Sequence, residues 1–178
     1  AQITRTGRVG VMATRGTVGS EKFARLLGSL QDQAQFEVCA CNGLALAIEQ
    51  STLPSHQSAA EAEVSRLLQV YTQTMGPFGS DPGEMDTLVL GCTHYVFAQE
   101  ALQQLVGPRV QLVSTGEPVA RQTHRLLESR QLLNYQAAPQ SSSGRLQLFT
   151  TGHLPGLKAA AQRWLQLNAS HCHQASGI

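Results

Sequence analysis

The sequence predicts an α/β fold: a mainly parallel sheet flanked by helices. Three observations predict it. Apolar runs of strand length alternate along the chain with segments whose apolar residues recur at i, i+3, i+4 and i+7. The strand-like runs are apolar almost throughout, as strands covered on both faces are. Turns rich in Gly, Ser and Thr lead from the runs into helical segments, the order expected of β–α units. Bulk properties agree, since 178 residues with 42% hydrophobic and 14% charged side chains suit a globular chain that buries a core without staples. A formal charge of +1 leaves no basic footprint for nucleic acid or anionic lipid. No stretch approaches the about 18 uncharged apolar residues that cross a bilayer, and no charged-then-apolar leader opens the chain. Neither a nucleic-acid partner nor a membrane is signalled.

The first unit is Arg8 to Ala13, a loop from Thr14 to Thr17, and a helix with Phe23, Leu26, Leu27 and Leu30 on one face. The second is a strand from Phe36 to Cys41, then a helix opened by a capping box, Ser58-Ala-Ala-Glu61, with Val64, Leu67, Leu68 and Tyr71 on one face. Asp86 to Leu90 is the clearest buried strand; Gly91-Cys92-Thr93-His94 leads from it into a helix carrying Ala98, Ala101, Leu102 and Leu105. Val110 to Val113 is a fourth strand, followed by Ser114-Thr-Gly-Glu117, with Pro118 at a first helical position and the helix running to about Leu132. Residues 134 to 144 read as a linker, Arg145 to Phe149 as a last strand, and Leu157, Ala161, Trp164 and Leu165 as the face of a last helix. The polar tail from Asn168 to Ile178 reads as unstructured, so His171-Cys-His173 is taken as a frayed terminus in preference to a metal tract. Gly7-Arg-Val-Gly10 is no nucleotide fingerprint, because Gly7 precedes the strand and Gly10 lies inside it.

Ligands of parallel sheets bind beyond the carboxyl ends of the strands. Two loops qualify, Thr14 to Thr17 and Cys92 to His94, and each places small polar side chains at a helix amino terminus, where free N–H groups favour a carboxylate or a thiolate. Each residue also has a plainer reading. Cys92 could fill a turn as a small apolar side chain, and Thr14 and Thr17 could be ordinary caps. Cys39 and Cys41, two apart on a strand, read as core. Four cysteines without a paired C-x-x-C fit neither a disulfide scaffold nor structural zinc, so a reducing, cytoplasmic setting fits best. No lysine or metal-ligand constellation suggests a cofactor.

Val9-Gly-Val-Met-Ala-Thr-Arg-Gly-Thr17, Leu88-Val-Leu-Gly-Cys-Thr-His-Tyr95 and Leu148-Phe-Thr-Thr-Gly152 resemble, in order and separation, three stretches of the bacterial glutamate racemases, within the cofactor-independent aspartate/glutamate racemase superfamily. The resemblance covers nearly all of residues 8 to 167 and corresponds to the later two-thirds of the family's chain. It implies a racemase-type domain over 1–115 carrying the second of two catalytic cysteines, and a segment, 116–178, that completes an amino-terminal domain missing here. The chain begins at Ala1, and the family's Asp-Ser pair and first catalytic cysteine have no counterpart before it, so a piece of a longer protein is expected. The resemblance further implies that Cys92 exchanges a proton with the α-carbon of glutamate, assisted by His94. Thr14, Thr17 and Thr93 would bind the substrate, with Glu49 near the pocket. No cofactor is implied; the partner is a small-molecule substrate, a homodimer is compatible, and the family's role is to supply D-glutamate for peptidoglycan. Ala40-Cys41-Asn42 imitates the missing cysteine motif, but its spacing from Glu49 resembles that of a different, non-catalytic cysteine. Val96 stands where the family usually has proline.

Deprotonating carbon next to an ionised carboxylate without a cofactor requires hydrogen bonds to the developing dianion and a base on each face, one thiolate to take the proton and one thiol to return it. Three other readings remain. Aspartate or another amino acid could be the substrate, although His94 resembles the glutamate branch. A Cys–His acyl-transfer enzyme would need no second cysteine. A ligand-binding remnant would keep the anion loops without turnover.

Overall fold

The computed structural model describes residues 2–134 and 146–175. It divides into two compact units, Ala1–Ser51 with His56–Gly116, and Thr52–Ser55 with Glu117–Ile178. The first holds strands β1 (Arg8–Ala13), β2 (Gln35–Ala40), β3 (Thr87–Gly91) and β4 (Gln111–Val113) in a single sheet of order β2-β1-β3-β4. All three pairings are parallel. The mainly parallel α/β architecture expected from the sequence is therefore present.

Strand periodicity distributes the core between the two faces of this sheet. From β1, Met12 joins Leu88 and Leu90 of β3 in a large cluster with helices α3 (Leu44–Gln50), α4 (Gln57–Met75) and α5 (Gln99–Val106). Val9 and Val11 face the other way, where Phe23 of α2 (Glu21–Gly28) packs on them with Phe36 and Val38. Gly10 is glycine because α4 lies directly on β1: an added Cβ would stand 2.9 Å from Met75 Cε and 3.0 Å from Leu88 Cδ1.

Several expectations need correction. Helix α3 has no counterpart among the expected elements. The capping box does not form: α4 starts at Gln57, so Ser58 is already inside the helix, no side chain caps its end, and Glu61 accepts instead from Gln57 Nε2 at 3.1 Å. Leu26 of α2 is exposed, and α5 turns Val106 rather than Leu105 inward. Helix α6 spans Gly116–Ser129 and stops short of Leu132, with Gln131 in the left-handed region at φ 57°.

The second unit contains β5 (Leu148–Thr150), α7 (Leu154–Leu165) and β6 (Cys172–Gln174), the two strands pairing in parallel. The tail is thus not frayed through residue 175. Ala175 N–H donates to the Thr150 carbonyl at 2.8 Å, the Gln174 side chain donates to the Thr150 and Gly152 carbonyls, and Cys172 is buried. Helix α7 carries Pro155 in its first turn, with His153 Nδ1 accepting from Gly156 N–H at 3.2 Å. Residues 135–145, including most of the expected linker and Arg145, lie outside the described residues, as do 176–178.

Candidate active site at the ends of strands β1 and β3

Parallel register brings the candidate loops together. Ala13 stands opposite Ala40 of β2 and Gly91 of β3, so Thr14, Cys41 and Cys92 leave the sheet from one rung. Because the chain goes from β1 to one neighbour and then crosses to the other, the β1–β3 junction is the topological switch point, where ligands of such sheets bind. Gly91 lets the two strands stay close there: a Cβ would lie 3.1 Å from both the Met12 carbonyl oxygen and Ala13 Cβ.

Thr14 caps the four-residue helix α1 (Arg15–Val18), its Oγ1 accepting from Thr17 N–H at 3.3 Å and lying 3.0 Å from Thr17 Oγ1. Both threonines are half-buried, so their hydroxyls form one polar pair at the end of β1.

On β3, Cys92 and His94 are half-buried and Thr93 is exposed. Cys92 Sγ lies 3.8 Å from His94 Nδ1, a long contact of the kind a thiol or thiolate makes with an imidazole. The turn is closed by Tyr95 N–H donating to the Cys92 carbonyl at 3.2 Å and Phe97 N–H to that of His94 at 3.1 Å. A 3₁₀ turn, Tyr95–Ala98, separates it from the start of α5. The α-helix terminus expected at Cys92 is therefore displaced, and the local partner for its sulfur is His94.

The other cysteines of this unit differ in kind. Burial pushes the Cys41 thiol far up, with neighbouring Cys39 adding to the effect, and burial raises Cys39 as well. Neither is poised as a thiolate at neutral pH. Glu49 is exposed near the end of α3, about 8 Å along the helix axis from Leu44 at the usual rise per residue. Its place near a pocket rests on the resemblance alone. Among the described residues no group of three or more His, Cys, Asp or Glu side chains could hold a metal ion, and no helix is long and apolar enough to cross a membrane.

Sequence reasoning missed two features. Tyr95 is fully buried and its hydroxyl donates to the Cys41 carbonyl at 3.3 Å, a contact between residues 54 apart that no local signal announces. Asp86, one residue before β3, accepts four hydrogen bonds; an acid abutting an apolar strand was the available signal.

Fold and site together define a parallel α/β protein with a cysteine–histidine pair at its switch point, beside a hydroxyl-lined turn. No family model matches the chain. A curated relative, the glutamate racemase of Herpetosiphon aurantiacus, is 40% identical over 151 residues, covering 84% of this chain and 53% of its own length. A glutamate racemase isoform from Bacillus anthracis shares the fold at TM-score 0.75 and 24% identity, covering 98% of this chain and 59% of that one. The Escherichia coli glutamate racemase, solved with L-glutamate and the activator UDP-MurNAc-ala, matches at TM-score 0.69 and 25% identity, over 99% of this chain and 61% of its own. The chain is a homologue of the glutamate racemases, and it spans about half the length of the curated relatives it matches.

Proposed function

We propose that this chain is part of an enzyme that interconverts L- and D-glutamate without a cofactor, with Cys92 as one of two face-specific proton carriers. The observation that carries this reading is the Cys92–His94 pair, 3.8 Å apart at the strand ends beside Thr14 and Thr17. The glutamate bound in the Escherichia coli homologue supports the substrate class. In the cycle, the Cys92 thiolate takes the α-proton, the C–H electron pair moves into the carboxylate, and hydroxyl and backbone donors at Thr14, Thr17 and Thr93 stabilise the dianion. A thiol on the opposite face then returns a proton to carbon, and in the reverse direction the two sulfurs exchange roles.

Cys39 and Cys41 are poor candidates for the second thiol because burial holds both protonated. In this reading the opposite-face group belongs to the half of the relatives' length that this chain does not span. Residues 1–115 then form the domain that carries Cys92, and 116–178 help complete another; the separation of contacts at Gly116 supports that division. The corresponding role is cytoplasmic supply of D-glutamate for peptidoglycan.

The test is deuterium uptake at the α-carbon from D- and L-glutamate, measured separately in heavy water. One enantiomer should exchange with retention of configuration, and Cys92→Ser should abolish that exchange. Equal exchange from both enantiomers, or exchange that survives Cys92→Ser, refutes Cys92 as a face-specific base.

A further inference from the structure

The two candidate loops are tied to adjacent residues, the Cys92 turn to Cys41 and the Thr14 turn to Asn42. The carbonyl of Cys41, at the end of β2, accepts from Tyr95 Oη at 3.3 Å, and the carbonyl of Asn42 accepts from Tyr71 Oη of α4 at 2.6 Å. Asn42 Oδ1 accepts from Arg15 Nε at 3.1 Å, which fastens the residue after Thr14 to the same point. Tyr95 in turn holds the Cys92 carbonyl through its own N–H at 3.2 Å. Strands β2 and β3 flank β1, so their ends are separated by two strand spacings of about 4.8 Å each. Tyr95, wholly buried in the cluster that includes Met12 and Leu90, reaches across that gap.

We infer that Tyr95 and Asn42 are positioning residues for the candidate site: Tyr95 fixes the Cys92 turn, and Asn42 fixes the Thr14 turn, against the shared end of β2. This rests on the reading of Cys92 as the reactive group. The contact at stake is sensitive, because a Sγ···Nδ1 distance of 3.8 Å is already long and a drift of a few tenths of an ångström loses it. Tyr95→Phe removes one oxygen and keeps the ring, leaving the buried Cys41 carbonyl without its donor.

The experiment is the rate of Cys92 alkylation by iodoacetamide, read by peptide mapping in four proteins: wild type, Tyr95→Phe, His94→Gln and the double variant. Tyr95→Phe should slow Cys92 about threefold, the effect of losing one weak contact to sulfur, and should have no further effect once His94 is gone. Leu102→Val, in the same cluster but away from the turn, should leave the rate unchanged while lowering the urea midpoint comparably. Asn42→Ala, an exposed substitution, should leave the Cys92 rate intact and increase amide exchange at Thr14 and Thr17. The proposal is overturned if Tyr95→Phe leaves the rate unchanged, if it acts equally with and without His94, or if Leu102→Val slows Cys92 as much; for Asn42, unchanged exchange at Thr14 and Thr17 overturns its part. No glutamate enters these measurements, so their failure is distinguishable from failure of the deuterium experiment.

Discussion

Replacing Asp86 should loosen the amino-terminal segment from the sheet and remove a pH dependence at the same time. Asp86 is only 8% exposed; its Oδ1 accepts from Thr4 Oγ1 at 2.6 Å and Thr87 Oγ1 at 3.0 Å, and its Oδ2 from the N–H groups of Arg5 and Thr6 at 2.6 and 3.1 Å. Burial alone would raise the carboxyl, but the bonds from Thr4, Arg5, Thr6 and Thr87 together outweigh it and hold the group down at about 2, below an ordinary value of 3.8. Because the folded value is the lower one, the stabilisation is complete above pH 4 or so and is lost as pH falls through about 2. That drop corresponds to at most about 2.5 kcal/mol, and to about 1–2 kcal/mol once solvent reaching the exposed Arg5 has screened it. Asp86→Ala should cost about 2 kcal/mol. Asp86→Asn should cost about 1 kcal/mol, since its carbonyl can face the two backbone N–H groups while its amide faces hydroxyls able to turn and accept. Urea unfolding followed by far-UV circular dichroism at pH 7, 5 and 3 checks both. Wild type should lose its advantage over Asp86→Asn toward low pH; midpoints that stay a constant distance apart from pH 7 to 3 would refute the reasoning.

Gly91→Ala should cost about 1–3 kcal/mol, because the new Cβ meets the Met12 carbonyl oxygen and Ala13 Cβ at 3.1 Å and a backbone atom cannot swing away. A urea midpoint equal to that of wild type would contradict this. Leu68→Ala, at a fully buried position of α4, should cost about 3 kcal/mol in the same assay; a loss under about 1 kcal/mol would mean that α4 is not the cover of the sheet.

The sequence was most informative where local pattern and tertiary role coincide. Apolar runs at Arg8–Ala13 and Thr87–Gly91 are strands because both their faces are covered, and Thr14 caps a helix because it follows such a run. Cys92 and His94 were legible as a pair because a two-residue separation at a turn suffices to bring them together. Helix α3 escaped notice because Leu44-Ala-Leu-Ala-Ile suits a strand as well as a helix, and its start at Gly43, in the left-handed region, has no side-chain cap. Strand β6 escaped because Cys172-His-Gln has no apolar run; its order comes from pairing with β5, more than 20 residues away. The rung shared by Thr14, Cys41 and Cys92 depends on strand order and register, which no single segment encodes.

The most direct test is a competition for Cys92. Iodoacetamide at neutral pH should modify Cys92 ahead of Cys39 and Cys41, whose thiols burial raises, and D-glutamate should slow the modification of Cys92 while D-lysine does not. Modification of Cys41 before Cys92, or a Cys92 rate indifferent to D-glutamate, would contradict the assignment of this turn as a glutamate site.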